Sequence, residues 1–131
     1  MTTLIEQSLQ TFADREGDPS ALIYGRLFAA RPELEVLFVG DRTGAARGEM
    51  LSVVFETLMD MASGGESRQH MIASEVVNHD QLGVPAEVFA DFFDLVAGTI
   101  RDSLGADWTA GMDEAWRELL VRTRRLSDAA S

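Results

Sequence analysis

No stretch of this sequence longer than a few residues alternates apolar with polar side chains, whereas apolar residues recur at three- and four-residue spacing almost throughout. That property excludes a sheet and leaves a chain of helices, whose ends are read from glycines, prolines and capping residues. Thr3-x-x-Glu6 forms a capping box, with Leu4, Ile5, Leu9 and Phe12 following at helical spacing. Gly17-Asp18-Pro19 stops this helix and opens the next, Asp18 as N-cap and Pro19 at the first helical position. The second helix carries Leu22, Ile23, Tyr24, Leu27 and Phe28 and breaks before Pro32. A short helical turn over 32–38 follows, then a polar, glycine-containing loop over 39–46. A helix over 47–62 presents Arg47, Leu51, Val54, Phe55 and Leu58 on one face, and Ser63-Gly64-Gly65 ends it.

The stretch 66–93 holds both histidines, His70 and His79. Ile72, Val76 and His79 share one helical face at i, i+4 and i+7. Leu82-Gly83 supplies a glycine C-cap and Pro85 begins a new helix. His79 is therefore the last inward-facing side chain of its helix. His70 lies nine residues earlier, roughly 180° round the same helix, and is expected on the surface. A long apolar helix over 85–104 turns Val88, Phe89, Phe92, Phe93, Val96 and Ile100 inward. Gly105-Ala106-Asp107 turns the chain into a final helix over 109–127 with Met112, Trp116, Leu119, Leu120 and Thr123. The expectation is an all-α protein of six main helices plus one short one, in a single domain over 1–131.

Composition narrows the chemistry. The 131 residues are 46% hydrophobic, enough for a real core. No apolar run reaches a membrane span of roughly 18–20 residues, and no basic-then-apolar leader opens the sequence. With no cysteine, disulfides, iron–sulfur clusters and thiolate zinc sites are excluded, which fits a cytoplasmic protein. A net charge of −11 argues against nucleic acid or anionic lipid as a partner.

Several segments share an order and spacing: Leu22-Ile-Tyr-Gly-Arg-Leu-Phe, Arg31-Pro-Glu-Leu-Glu-Val-Leu-Phe38, His79-Asp-Gln-Leu-Gly-Val84, and Gly105-Ala-Asp-Trp-Thr with Glu114-Ala-Trp116. In that arrangement the chain resembles the bacterial single-domain haemoglobins and the globin domain of flavohaemoglobins, over about residues 18–120. The resemblance implies a globin-like fold with haem b between the helix carrying Arg47 and the helix carrying His79. His79 would be the iron ligand, with its near ring nitrogen bonded to a backbone carbonyl about one turn back, near Glu75. Phe38 would pack on the porphyrin face, and Tyr24 would be the distal hydroxyl that donates to an O₂ ligand. Phe28, Leu51, Val76, Val84, Phe89 and Phe92 complete the expected haem surroundings. Arg47 occupies the distal-helix position and is expected to pair with a propionate, with a swing inward to the gas ligand as the alternative. Arg42 and Arg68 are weaker candidates for the same pairing.

Two departures from flavohaemoglobins bear on chemistry. Their proximal tyrosine position is Phe89 here, and no glutamate stands where their late one falls, because the sequence closes Ser127-Asp-Ala-Ala-Ser131. The acceptor expected behind His79 is therefore a neutral carbonyl, with a carboxylate such as Glu75 or Asp80 as the alternative. No flavin or nicotinamide domain and no GxGxxG loop are present in the sequence. The reading that follows is a haem b protein reversibly binding O₂, with NO and CO as further ligands, for oxygen transport or gas sensing. An NO dioxygenase served by a separate reductase is the enzymatic alternative, and a haem-free sensor or interaction module on the same fold is another. A homodimer is compatible with the resemblance alone.

Overall fold

The computed structural model describes residues 3–65 and 68–130. Among them lie six α-helices and no strand: α1 (Leu4–Glu16), α2 (Pro19–Ala30), α3 (Ala45–Ala62), α4 (Gln69–Gln81), α5 (Ala86–Leu104) and α6 (Ala110–Ala130). Two 3-10 segments, Pro32–Phe38 and Gly105–Asp107, join α2 to the loop before α3 and α5 to α6. The family-level expectation of an all-α fold is met, and residues 66–67 at the head of the histidine stretch lie outside the described residues.

Local chemistry sets most helix ends. Thr3 Oγ1 accepts the Glu6 N–H at 3.1 Å, and Asp18 Oδ1 accepts the Ser20 N–H at 3.1 Å. The end of α4 is a Schellman motif: Gly83, at φ 90°, donates to the Asp80 carbonyl, and Val84 donates to the His79 carbonyl at 2.8 Å. Only a residue without a Cβ takes that backbone angle cheaply. The motif thereby fixes His79 and Val84 relative to each other.

α3 begins two residues before its expected start. Asp41 causes this, because its carboxylate accepts the Ala46 N–H at 3.1 Å and the Arg47 N–H at 3.0 Å. A cap reaching in from five and six residues upstream satisfies the orphan amides of the first turn, and local cap patterns do not reveal it. The chain turns into α3 through Gly44 at φ 78°.

The core is centred on α1, α5 and α6, where Phe12, Val96, Ile100, Leu104, Trp116 and Leu119 are buried together. Trp116 Nε1 donates to Ser8 Oγ at 2.9 Å, and Ser8 Oγ donates to the Ile5 carbonyl at 2.7 Å, so the buried indole and hydroxyl are both satisfied. α4 packs on α6 and α5, whereas α3 packs on α1, α2 and α6. α3 and α4 thus both rest on α6, and a slot opens between them.

Candidate functional site

The slot is a cavity of about 590 Å³, within the range of small-molecule and cofactor sites. Tyr24, Leu27, Leu34 and Phe38 wall one side, and Met50, Val53, Val54 and Thr57 come from α3. Met71, Ile72, Glu75 and His79 come from α4, and Val84, Val88, Phe89, Phe92 and Phe93 from the turn and α5. Leu37, Met71 and Leu82 border the same cavity yet are 49%, 36% and 67% exposed. Large apolar side chains left open at a rim suit a ligand that covers them.

His79 Nδ1 lies 2.7 Å from the Glu75 carbonyl oxygen. A carbonyl only accepts, so Nδ1 carries the proton and Nε2 keeps its lone pair for a metal. The ring packs on Phe89 with centroids 5.0 Å apart, and the side chain is 23% exposed. The Glu75 carboxylate also approaches Nδ1, with Oε2 at 3.5 Å. Among the described residues no cluster of three or more His, Cys, Asp or Glu could hold a metal ion. The donors on the wall would therefore hold a metal group through a single imidazole.

Tyr24, the only tyrosine of the chain, is 3% exposed, and its hydroxyl has no hydrogen-bond partner among the described residues. Its ring sits among Phe28, Phe38 and Phe92, at centroid distances of 6.0, 5.6 and 5.6 Å. Burial pushes the phenol up to about 12; the Arg47 charge opposes this shift and the Asp41 charge adds to it. Tyr24 is therefore an O–H donor at every physiological pH, buried on the cavity wall with nothing to donate to.

Arg47 is turned away from that wall. Its Nε donates to Asp41 Oδ2 at 3.1 Å and its Nη2 to the Asp41 carbonyl at 3.0 Å. Burial alone would raise the Asp41 carboxyl, but the Arg47 and Ala46 amides and the Arg47 guanidinium outweigh it and hold the group below the usual carboxylate range. Arg47 lines a neighbouring pocket of about 480 Å³ with Arg42, Glu35 and Val39, which shares only Phe38 and Asp41 with the main cavity.

Of the residues expected to surround a cofactor, the structure brings Tyr24, Phe38, His79, Val84, Phe89 and Phe92 to one cavity. It does not bring Phe28, Arg47, Leu51 or Val76 to the cavity wall. Phe28 stacks behind Tyr24 and Phe38, its ring centroid 5.5 Å from that of Phe38. Leu51 and Val76 are each 2% exposed within the central core. α3 presents Met50, Val53 and Thr57 together with Val54, the one residue of the expected face that reaches the cavity wall. His70 is exposed, and Arg68 pairs with Glu56 at 3.1 Å. Met50, Thr57, Met71 and the Glu75 carboxylate were not anticipated on the wall; the i, i+4 spacing of Glu75 and His79 was the available signal for the last of these.

Six helices holding an apolar slot with one imidazole define a helical protein built round an internal pocket. A family model described as globin matches residues 21–123, and the chain belongs to the globin family. No curated protein and no solved structure matches it. Globins typically bind haem and, through it, small gases such as O₂.

The residues present fit a haem. A haem is a large, mostly apolar disc that needs a wide slot and an imidazole for the iron. The wall supplies both, and the orphaned Tyr24 hydroxyl adds a donor that waits for an acceptor. The propionate edge is less prepared: the titratable side chains on the wall besides Tyr24 and His79 are the carboxylates of Asp41, Glu49 and Glu75. Arg47, beside the cavity, must loosen from Asp41 to meet a propionate.

Proposed function

We propose that this globin holds haem b through His79 and reversibly binds O₂, with NO and CO as further ligands. The observation that carries the reading is one cavity lined both by an imidazole whose Nδ1 is already committed to a carbonyl and by a buried hydroxyl without a partner. When bound, haem b would supply an iron able to bind a diatomic gas. His79 offers Nε2 to that iron, and the Glu75 carbonyl keeps the ring in the right tautomer and orientation. Phe38, Phe89 and Phe92 exclude water and clamp a flat apolar ligand. The Tyr24 hydroxyl would donate a hydrogen bond to a held gas that carries partial negative charge, which would favour O₂ over CO. Arg47 is assigned to a propionate, because its guanidinium already lies outside the gas side of the cavity.

The reading is tested by expression with added haem. The protein should show a Soret band that moves on reduction and again with CO. His79→Ala should lose most of the haem, while His70→Ala should retain it. Bleaching by His70→Ala alone would reject the assignment, and a protein that takes no haem at all would leave the haem-free sensor reading. The NO dioxygenase reading, which needs a separate reductase, is favoured by one observation, the carboxylate beside His79 Nδ1. NO consumption by the oxygenated protein with a supplied reductase separates it from oxygen binding alone.

A further inference from the structure

The contact between the Glu75 carboxylate and His79 is not needed to hold a haem, because the Glu75 carbonyl alone sets the tautomer. Glu75 lies one helical turn before His79 on α4, and both line the cavity. Its carbonyl takes the Nδ1 proton at 2.7 Å, while its Oε2 stands 3.5 Å from the same nitrogen. One residue thus brings a neutral acceptor and an anionic one to a single N–H. A carboxylate draws the proton more strongly than a carbonyl and leaves more electron density on the ring. Phe89, the aromatic neighbour of the ring, has no acceptor to offer. The Glu75 side chain is 40% exposed, so water screens part of its charge. It also borders the cavity, so a ligand filling the slot would strip some of that water away.

We infer that Glu75 is a positioning residue that raises the donor strength of the His79 imidazole through Nδ1 and so tunes whatever metal Nε2 holds. The inference rests on the haem reading above. It supplies from the same helix turn an anionic acceptor, and it replaces the neutral imidazole expected from the sequence with an electron-rich one.

Three haem-loaded proteins test it: wild type, Glu75→Gln and Glu75→Ala. Both substitutions leave the backbone carbonyl in place, so the 2.7 Å bond and the tautomer survive, and glutamine preserves length without charge. Resonance Raman of the deoxy ferrous form should show the iron–histidine stretch falling from wild type to Glu75→Gln. The ferrous form should be favoured about tenfold in the variant, which is an upward shift of about 59 mV in a one-electron midpoint potential. Glu75→Ala should move both readouts in the same direction, and helicity by circular dichroism separates a loss of fold from a loss of charge. Equal frequencies and potentials in wild type and Glu75→Gln, with haem retained, would overturn this inference and leave the haem reading standing. A wild type that takes no haem would overturn both.

Discussion

At the scale of single residues, Tyr24 carries two opposed costs. Its hydroxyl is buried with no partner among the described residues, which costs about 1–3 kcal/mol. Tyr24→Phe should therefore stabilise the haem-free protein by about that amount in urea melts. In the haem-loaded protein the same change removes a donor to the gas. O₂ should then dissociate roughly ten to a hundred times faster, with CO much less affected. Equal O₂ dissociation rates in the two proteins would remove Tyr24 from the distal role. Because it is the only tyrosine, its phenol can be followed alone by ultraviolet titration. Its folded value is about 12 against an ordinary 10.0. The raised value means that the folded state keeps a proton the unfolded chain has lost. The associated stability is whole below pH about 10 and is lost as pH rises towards 12. Ionisation of the folded protein near pH 10 would contradict the burial.

At the scale of elements, α3 decides which side chains face the slot. Neighbouring positions on a helix differ by roughly 100°, so the angle at which α3 is set decides whether Leu51 or Met50 meets the slot. Leu51 is packed in the core at 2% exposure, whereas Met50 lines the cavity. Leu51→Ala should cost about 2–5 kcal/mol of stability. Met50→Ala should cost much less and change the rates of gas binding in the haem-loaded protein. Similar destabilisation by the two changes would place the other face of α3 towards the slot. The orientation has a traceable cause. Asp41 caps the amides of Ala46 and Arg47 and holds the Arg47 side chain outside the cavity, so the first turn starts from a fixed angle.

At the scale of the molecule, the slot is where a ligand would add stability. Leu37, Met71 and Leu82 border it while largely open to solvent, and α3 and α4 are held apart by the helices behind them. A ligand that binds only the folded state stabilises it by about 4 kcal/mol when free ligand exceeds its Kd a thousandfold. For a chain of this size that corresponds to roughly 10–20 °C in Tm. Haem loading should raise the melting temperature by about this much, and His79→Ala should abolish most of the rise. An unchanged melting temperature in a protein that carries haem would mean that the slot is already rigid without it.

The helices, their order and most of their ends were legible because capping residues, prolines and glycines act on the chain within a few residues of themselves. The same holds for His79 and Val84, which one glycine turn ties together. Tyr24 and Phe38 were legible through the globin resemblance. Tertiary structure alone decided the rest. Whether Leu51 or Met50, and Val76 or Glu75, meets the slot depends on which neighbouring helix claims each face, and helical periodicity sorts residues into faces without saying which face meets the slot. Arg47 answers to Asp41 across a loop, and the Glu75 carboxylate, which the sequence offered with Asp80 as an alternative acceptor, is the one set beside the ring. Both are choices of side-chain direction, made by the charges and surfaces that folding brings within reach.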